Sequence, residues 1–145
     1  MKCFTFLILS TLILSCSKNI CPLKNGVIYK NDSSLFSMTD PNNQITIESD
    51  FSEVYSVSAG EIVSIITTSG DIKTVLVKTE NADQKDYFYI YSGLQKVNYT
   101  KGNFVQKNDI LGELKSKGDK YELSFQYREN TVKQNPRKCI KCKKN

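Results

Sequence analysis

The sequence predicts one all-β domain, with antiparallel sheets in a sandwich or barrel-like arrangement, carried behind a cleaved leader. Three observations predict it. Between residues 45 and 127 apolar residues alternate with polar ones at period two, the pattern of half-buried strands. The strand-like runs are rich in β-branched and aromatic residues, which favour strand over helix, and no stretch sustains a 3.6-residue period. The length is 145 residues, 39% hydrophobic and 24% charged, enough for one domain of ordinary globular composition.

The elements follow in order along the chain. Met1 and Lys2 precede an apolar run over residues 4–14, and Ser15-Cys16 follows it. A basic start, a short apolar stretch and a small residue make a secretory signal peptide, because a bilayer span needs about 20 apolar residues. Leu12-Ile13-Leu14-Ser15-Cys16 resembles the bacterial lipobox. That resemblance implies cleavage before Cys16, a diacylglyceryl (palmitate-type) modification of its thiol, and acylation of the new amino terminus. Several acyl chains hold a protein stably on a bilayer where one does not. Residues 1–15 are therefore expected to be the leader, and 16–41 a lipidated tether with an N-terminal segment. No acidic run follows Cys16, so a periplasm-facing envelope location is the expectation.

Strands are expected over 45–47, 54–57, 61–68, 72–78, 87–91, 104–105, 110–114 and 121–127. Ser69-Gly70-Asp71 between the third and fourth has the chemistry of a tight hairpin turn. Short strands at such regular spacing make an all-β domain rather than a βαβ one.

Composition excludes several chemistries. The chain has no histidine, so Ser-His-Asp and Cys-His nucleophile pairs, imidazole bases and imidazole-bearing zinc sites are absent. The net charge of +5 does not mark a nucleic-acid binder. Six basic residues and no acid lie in residues 130–145, whereas the stretch between Lys30 and Lys73 has no base at all. A basic tail on a faintly acidic body suits a solvated end, or contact with anionic lipid or wall polymer. The tail, taken as 139–145, contains Cys139-Ile140-Lys141-Cys142. A zinc half-site or a redox pair is conceivable for such a CxxC. In an oxidising compartment the simplest outcome is a disulfide from Cys21 to Cys139 or Cys142, tying the two ends together and leaving one thiol unaccounted for.

Beyond the periodicity, several segments occur in a telling order. Residues 54–63 (VYSVSAGEIV) set a strand against a small residue and Gly before another strand. Tyr91-Ser92-Gly93-Leu94 follows, then residues 97–112 (VNYTKGNFVQKNDILG), with Gly102, Val105, Ile110 and Gly112. Glu122-Leu123-Ser124-Phe125-Gln126 and Asn135-Pro136 complete the set. Over residues 42–138 this order resembles LytM-type domains of peptidase family M23. There the corresponding motifs are Tyr-x-His-Leu, a V-x-x-G-x-x-V-x-x-G-x-x-I-G repeat, His-Leu-His-Phe-Glu and Asn-Pro. Glycines at these points serve turns and close strand contacts.

The resemblance also implies what is missing. Active members hold one zinc ion through an H-x-x-x-D pair and the second His of H-x-H, with two further His acting on water and the transition state. Carried over, the first pair falls on Asn42 and Thr46, the third ligand on Ser124, and the catalytic pair on Gly93 and Glu122. None keeps its chemistry, so the resemblance implies neither a catalytic site nor a metal cofactor. It implies instead a domain that binds peptidoglycan or activates a separate cell-wall amidase. Tyr87, Tyr89, Tyr91, Tyr99, Tyr121 and Tyr127 have apolar faces and polar tips that suit a binding groove; for any single one of them, the preferred reading is a sheet face in contact with core and solvent, as alternate positions such as Tyr87, Tyr89 and Tyr91 suggest. The alternatives are a carboxylate-based wall hydrolase, pairing Glu122 with an acid from residues 31–72, and a structural envelope adaptor without wall binding. A biotinyl- or lipoyl-type carrier is disfavoured, since Asp71-Ile72-Lys73 is not the lysine-bearing hairpin tip it needs.

Overall fold

A computed structural model describes residues 20–29, 44–80 and 84–144. Cys16 and Asn42 lie outside the described residues. In chain order the strands are β1 (Val27–Ile28), β2 (Gln44–Ser49), β3 (Glu53–Tyr55), β4 (Gly60–Thr67), β5 (Lys73–Glu80), β6 (Asp86–Val97), β7 (Phe104–Val105), β8 (Ile110–Leu114), β9 (Ser116–Lys117), β10 (Lys120–Glu129), β11 (Val132–Gln134) and β12 (Lys143–Lys144). The turn between β4 and β5 is the expected one, with Gly70 at φ 75° and Asp71 at φ 63°.

Hydrogen bonding links the strands in the order β12-β1-β2-β10-β6-β5-β4-β7, with β11 and β9 on β10 and a β3–β8 ribbon on the far half of β6. β6 is therefore the pivot. Its first part pairs with β10 and β5, and its end, from Leu94 to Val97, pairs with β8. The crossover falls at Gly93, whose φ of 111° is open to glycine and strained for other residues. Gly112 permits the close approach of β8 to β6, because a Cβ there would overlap the Lys96 carbonyl oxygen.

The core lies between the sheet and the ribbon. Alternation on β2 buries Ile45 and Ile47, and on β10 it buries Leu123, Phe125 and Tyr127. Val54, Val57, Leu111 and Leu114 join them in one cluster from the ribbon side. Tyr91 ties the two together: its ring meets Phe125 at 5.3 Å, and its hydroxyl accepts the Val57 N–H at 3.0 Å.

Three expectations are corrected. The antiparallel rule has one exception among the described residues, since β1 and β12 run parallel. A bond between Cys21 and Cys142 (Cα–Cα 4.7 Å) brings these two chain ends side by side. The N-terminal segment is not a mere tether: Leu23 is fully buried and bridges to Val54, and Pro22 accepts the Tyr55 N–H at 2.8 Å. Nor is the start of the tail solvated. Cys139 and Ile140 are buried in the core. In each case too few residues are involved to show a period, so their apolar character passes for linker.

Candidate functional site

Because side chains alternate across a strand, the residues between the core positions of β2, β10, β6 and β5 share the opposite face. Register places Thr46 opposite Ser124, Ser124 opposite Ser92, and Ser92 opposite Thr74. Four half-buried hydroxyl side chains thus form one row across four adjacent strands, and Thr74 Oγ1 donates to Ser92 Oγ at 2.9 Å. Facing residues in such a ladder have Cα atoms about 4.5–5.5 Å apart.

Rows flank this one on both sides. Two residues along in one direction, Glu48 faces Glu122. Lys117 holds Glu122 at 2.7 Å, and Tyr29 hydrogen-bonds Glu48, which raises the phenol's pKa above its usual value. Beside Glu48, a cleft of about 150 Å³ is lined by Asn25, Tyr29, Asp50 and Lys120 among others; an ion pair to Asp50 raises the Lys120 pKa. In the other direction Gln44 accepts from Gln126 at 3.0 Å, with Ile90 and Leu76 continuing the row. Beyond it stand Lys133, Arg128, Phe88 and Lys78.

The geometry therefore brings Thr46, Ser124 and Glu122 onto one face. Gly93 sits apart, in the backbone irregularity between Ser92 and Leu94, where a Cβ would come within 3.0 Å of the Glu122 carbonyl oxygen. Sequence reasoning missed Ser92, Thr74 and Arg128, and had Glu48 only as one of the acids of residues 31–72 that could pair with Glu122. The signal for Glu48 was available, because it follows Thr46 by two residues; Ser92 and Thr74 needed the register.

Of the two readings of the tyrosines, the core-facing one holds. Tyr89, Tyr91 and Tyr127 are core residues on the other side of the sheet, and Tyr87, Tyr99 and Tyr121 pack partly buried against that core. Tyr127 stacks between Tyr87 (6.0 Å) and Tyr89 (5.4 Å). Period two puts residues 87, 89 and 91 on the face opposite Ser92.

Residues 40–136 match peptidase family M23. The chain belongs to that family. Among solved structures, this M23 domain is similar to the catalytic domain of the prophage-encoded M23 protein EnpA from Enterococcus faecalis (16% identity, 82% of this chain and 95% of that one, TM-score 0.62). It is also similar to Csd3 of Helicobacter pylori (23% identity, 84% and 34%, TM-score 0.61) and to the antimicrobial peptidase lysostaphin of Staphylococcus simulans (20% identity, 70% and 44%, TM-score 0.53). At these identities the likeness is one of fold. The chain spans less than half the length of lysostaphin and about a third of Csd3. No curated protein sequence matches it.

M23 membership brings the family's zinc into question, and the donors present do not fit it. The ligand positions that the resemblance assigns in the described region, Thr46 and Ser124, carry neutral hydroxyls, and hydrolytic zinc is held by imidazole, carboxylate or thiolate. The described residues contain no group of three or more His, Cys, Asp or Glu able to hold a metal.

Proposed function

We propose that this M23 domain is a non-catalytic binding module of the bacterial cell envelope. In this reading it is anchored to the bilayer through acyl chains on Cys16 and engages peptidoglycan, or a hydrolase at work on it, through the open sheet face. The observation that carries the reading is the row Thr46–Ser124–Ser92–Thr74. Two of its members, Thr46 and Ser124, stand at positions that the family resemblance assigns to zinc ligands, and there they offer hydrogen-bonding hydroxyls instead. Such a row can donate to and accept from the amides and hydroxyls of an extended wall peptide or glycan, but it cannot lower the pKa of a water molecule as zinc does.

The test is co-sedimentation of the protein with purified sacculi while released muropeptides are monitored. Pelleting without release is the expected result. Release would overturn the non-catalytic reading and direct attention to Glu48 and Glu122, the facing carboxylates. Failure to pellet would overturn wall binding, and capture of a purified cell-wall amidase becomes the measurement that decides the partner. Mass analysis of the membrane fraction tests the anchor: an unmodified Cys16 in the mature chain would remove it.

A further inference from the structure

At the end of the open face, Arg128 has no counter-ion among the described residues. Its Nε is buried and has no hydrogen-bond partner. Its Nη2 has one contact, the Gln126 Oε1 at 3.5 Å, the outer limit of a hydrogen bond. No described carboxylate forms an ion pair with it. Asp86, two residues from Phe88 on the neighbouring strand, is taken by Lys78 at 3.1 Å, and Glu129 on the other side of β10 is taken by Lys85. Directly across β11, Lys133 is exposed and likewise has no described ion pair. A buried guanidinium donor without an acceptor is costly, and such groups call for an explanation beyond packing.

Nε and Nη2 form the side-on fork of the guanidinium, the geometry that grips a carboxylate through two parallel hydrogen bonds. The Gln126 side chain offers this fork a single weak acceptor, at Nη2 alone. Gln126 stands where the M23 motif quoted above has Glu, so the fork lacks a carboxylate that a neighbouring side chain could supply. Ser124 and Arg128 are four residues apart on β10, roughly 13 Å along the strand, and Phe88 is the register partner of Arg128 on β6. That span matches a peptide of about four extended residues, reaching from the hydroxyl row to the fork.

We propose that Arg128, assisted by Lys133, is a carboxylate-binding subsite that takes the free carboxylate of an extended peptide lying along β10 after displacing the Gln126 amide. The subsite rests on the wall-binding reading above and names the chemical group in the wall peptide that is recognised. Phosphate chemistry is less well matched, because one fork and one lysine provide the donors of a planar, singly charged group.

The experiment compares diacetyl-L-Lys-D-Ala-D-Ala with its C-terminal amide, and with inorganic phosphate, in titrations of the full-length chain. The free acid is expected to bind at least fivefold more tightly than the amide. Arg128→Gln is expected to abolish this preference, and Lys133→Gln to weaken it about twofold. Gln126→Glu supplies the carboxylate internally, so it should also abolish the preference while raising the melting temperature; this variant keeps the test decisive if Arg128→Gln fails to fold. Equal binding of acid and amide, absence of binding, persistence of the preference in Gln126→Glu, or phosphate binding as tight as the free acid would each overturn the subsite. Sacculus pelleting separates the two claims. Pelleting without an acid-over-amide preference removes the subsite alone, whereas the preference without pelleting keeps the subsite and removes the wall.

Discussion

Replacing Tyr91 with phenylalanine tests how the sheet is fastened to the ribbon. The ring is fully buried against Phe125, and its hydroxyl accepts the Val57 N–H at 3.0 Å while engaging Ser56. Phenylalanine fills nearly the same volume, so the transfer and cavity contributions stay small. What is lost is the acceptor for a buried backbone N–H, which costs about 1–3 kcal/mol. Taking roughly 2 kcal/mol, a domain of this size should melt about 8 °C lower. The phenol adds a pH signature. Burial pushes its pKa well above the ordinary 10.0, so both states hold the proton below that value. Above it the unfolded chain releases the proton and the folded chain retains it. Stability is thus intact up to about pH 10 and falls beyond by up to about 1.4 kcal/mol per pH unit for this group. Thermal melts of wild type and Tyr91→Phe at pH 7 and across pH 9–11 read both effects. The variant should start lower and decline less steeply by one proton's worth. An unchanged melting temperature together with an unchanged alkaline slope would refute the assignment of Tyr91 as the buried fastener.

Three further outcomes are expected. Gly112→Ala forces a methyl group into the Lys96 carbonyl and should cost about 1–3 kcal/mol, as overpacking does; a urea midpoint at the wild-type value would show that β8 can move aside. The Cys21–Cys142 bond closes a loop with a sequence separation of 121 residues, worth about 5 kcal/mol in the chain-entropy account. The double Cys21→Ser, Cys142→Ser variant should lose several kcal/mol in urea unfolding, and a loss under 1 kcal/mol would mean that strand pairing of β1 with β12 suffices alone. Finally, Asn42→His, Thr46→Asp and Ser124→His together restore the three-ligand set that the family uses. After dialysis against zinc the triple variant should retain about one equivalent by elemental analysis and the wild type none; a zinc-free triple variant would show that the position-by-position mapping is wrong.

Strand positions were legible from residue to residue, because alternation is a local property: Ile45, Ile47, Leu123 and Phe125 declare a buried face wherever their strands end up. The same alternation left both groove and core open for Tyr87, Tyr89 and Tyr91, with core preferred for each, since period two says that they share a face and nothing about which side that face meets. The short elements failed for a simpler reason. Two-residue strands such as β1 and β12 have no period, and a disulfide and a parallel pairing between chain ends are long-range events.

By itself, then, the sequence determined the all-β class, the motif order that marks the M23 family, and the absence of every histidine that family chemistry would draw on. These are matters of composition and local pattern, and no folding is required to read them. Tertiary structure alone decided that Thr46, Ser124, Ser92 and Thr74 form one row, that Gly93 sits in a bulge, that Leu23 and Ile140 belong to the core, and that Arg128 meets no counter-ion among the described residues. Each depends on strand register and on which partners the fold places within a few ångströms, and residues far apart in the chain acquire those relations only when the sheet closes.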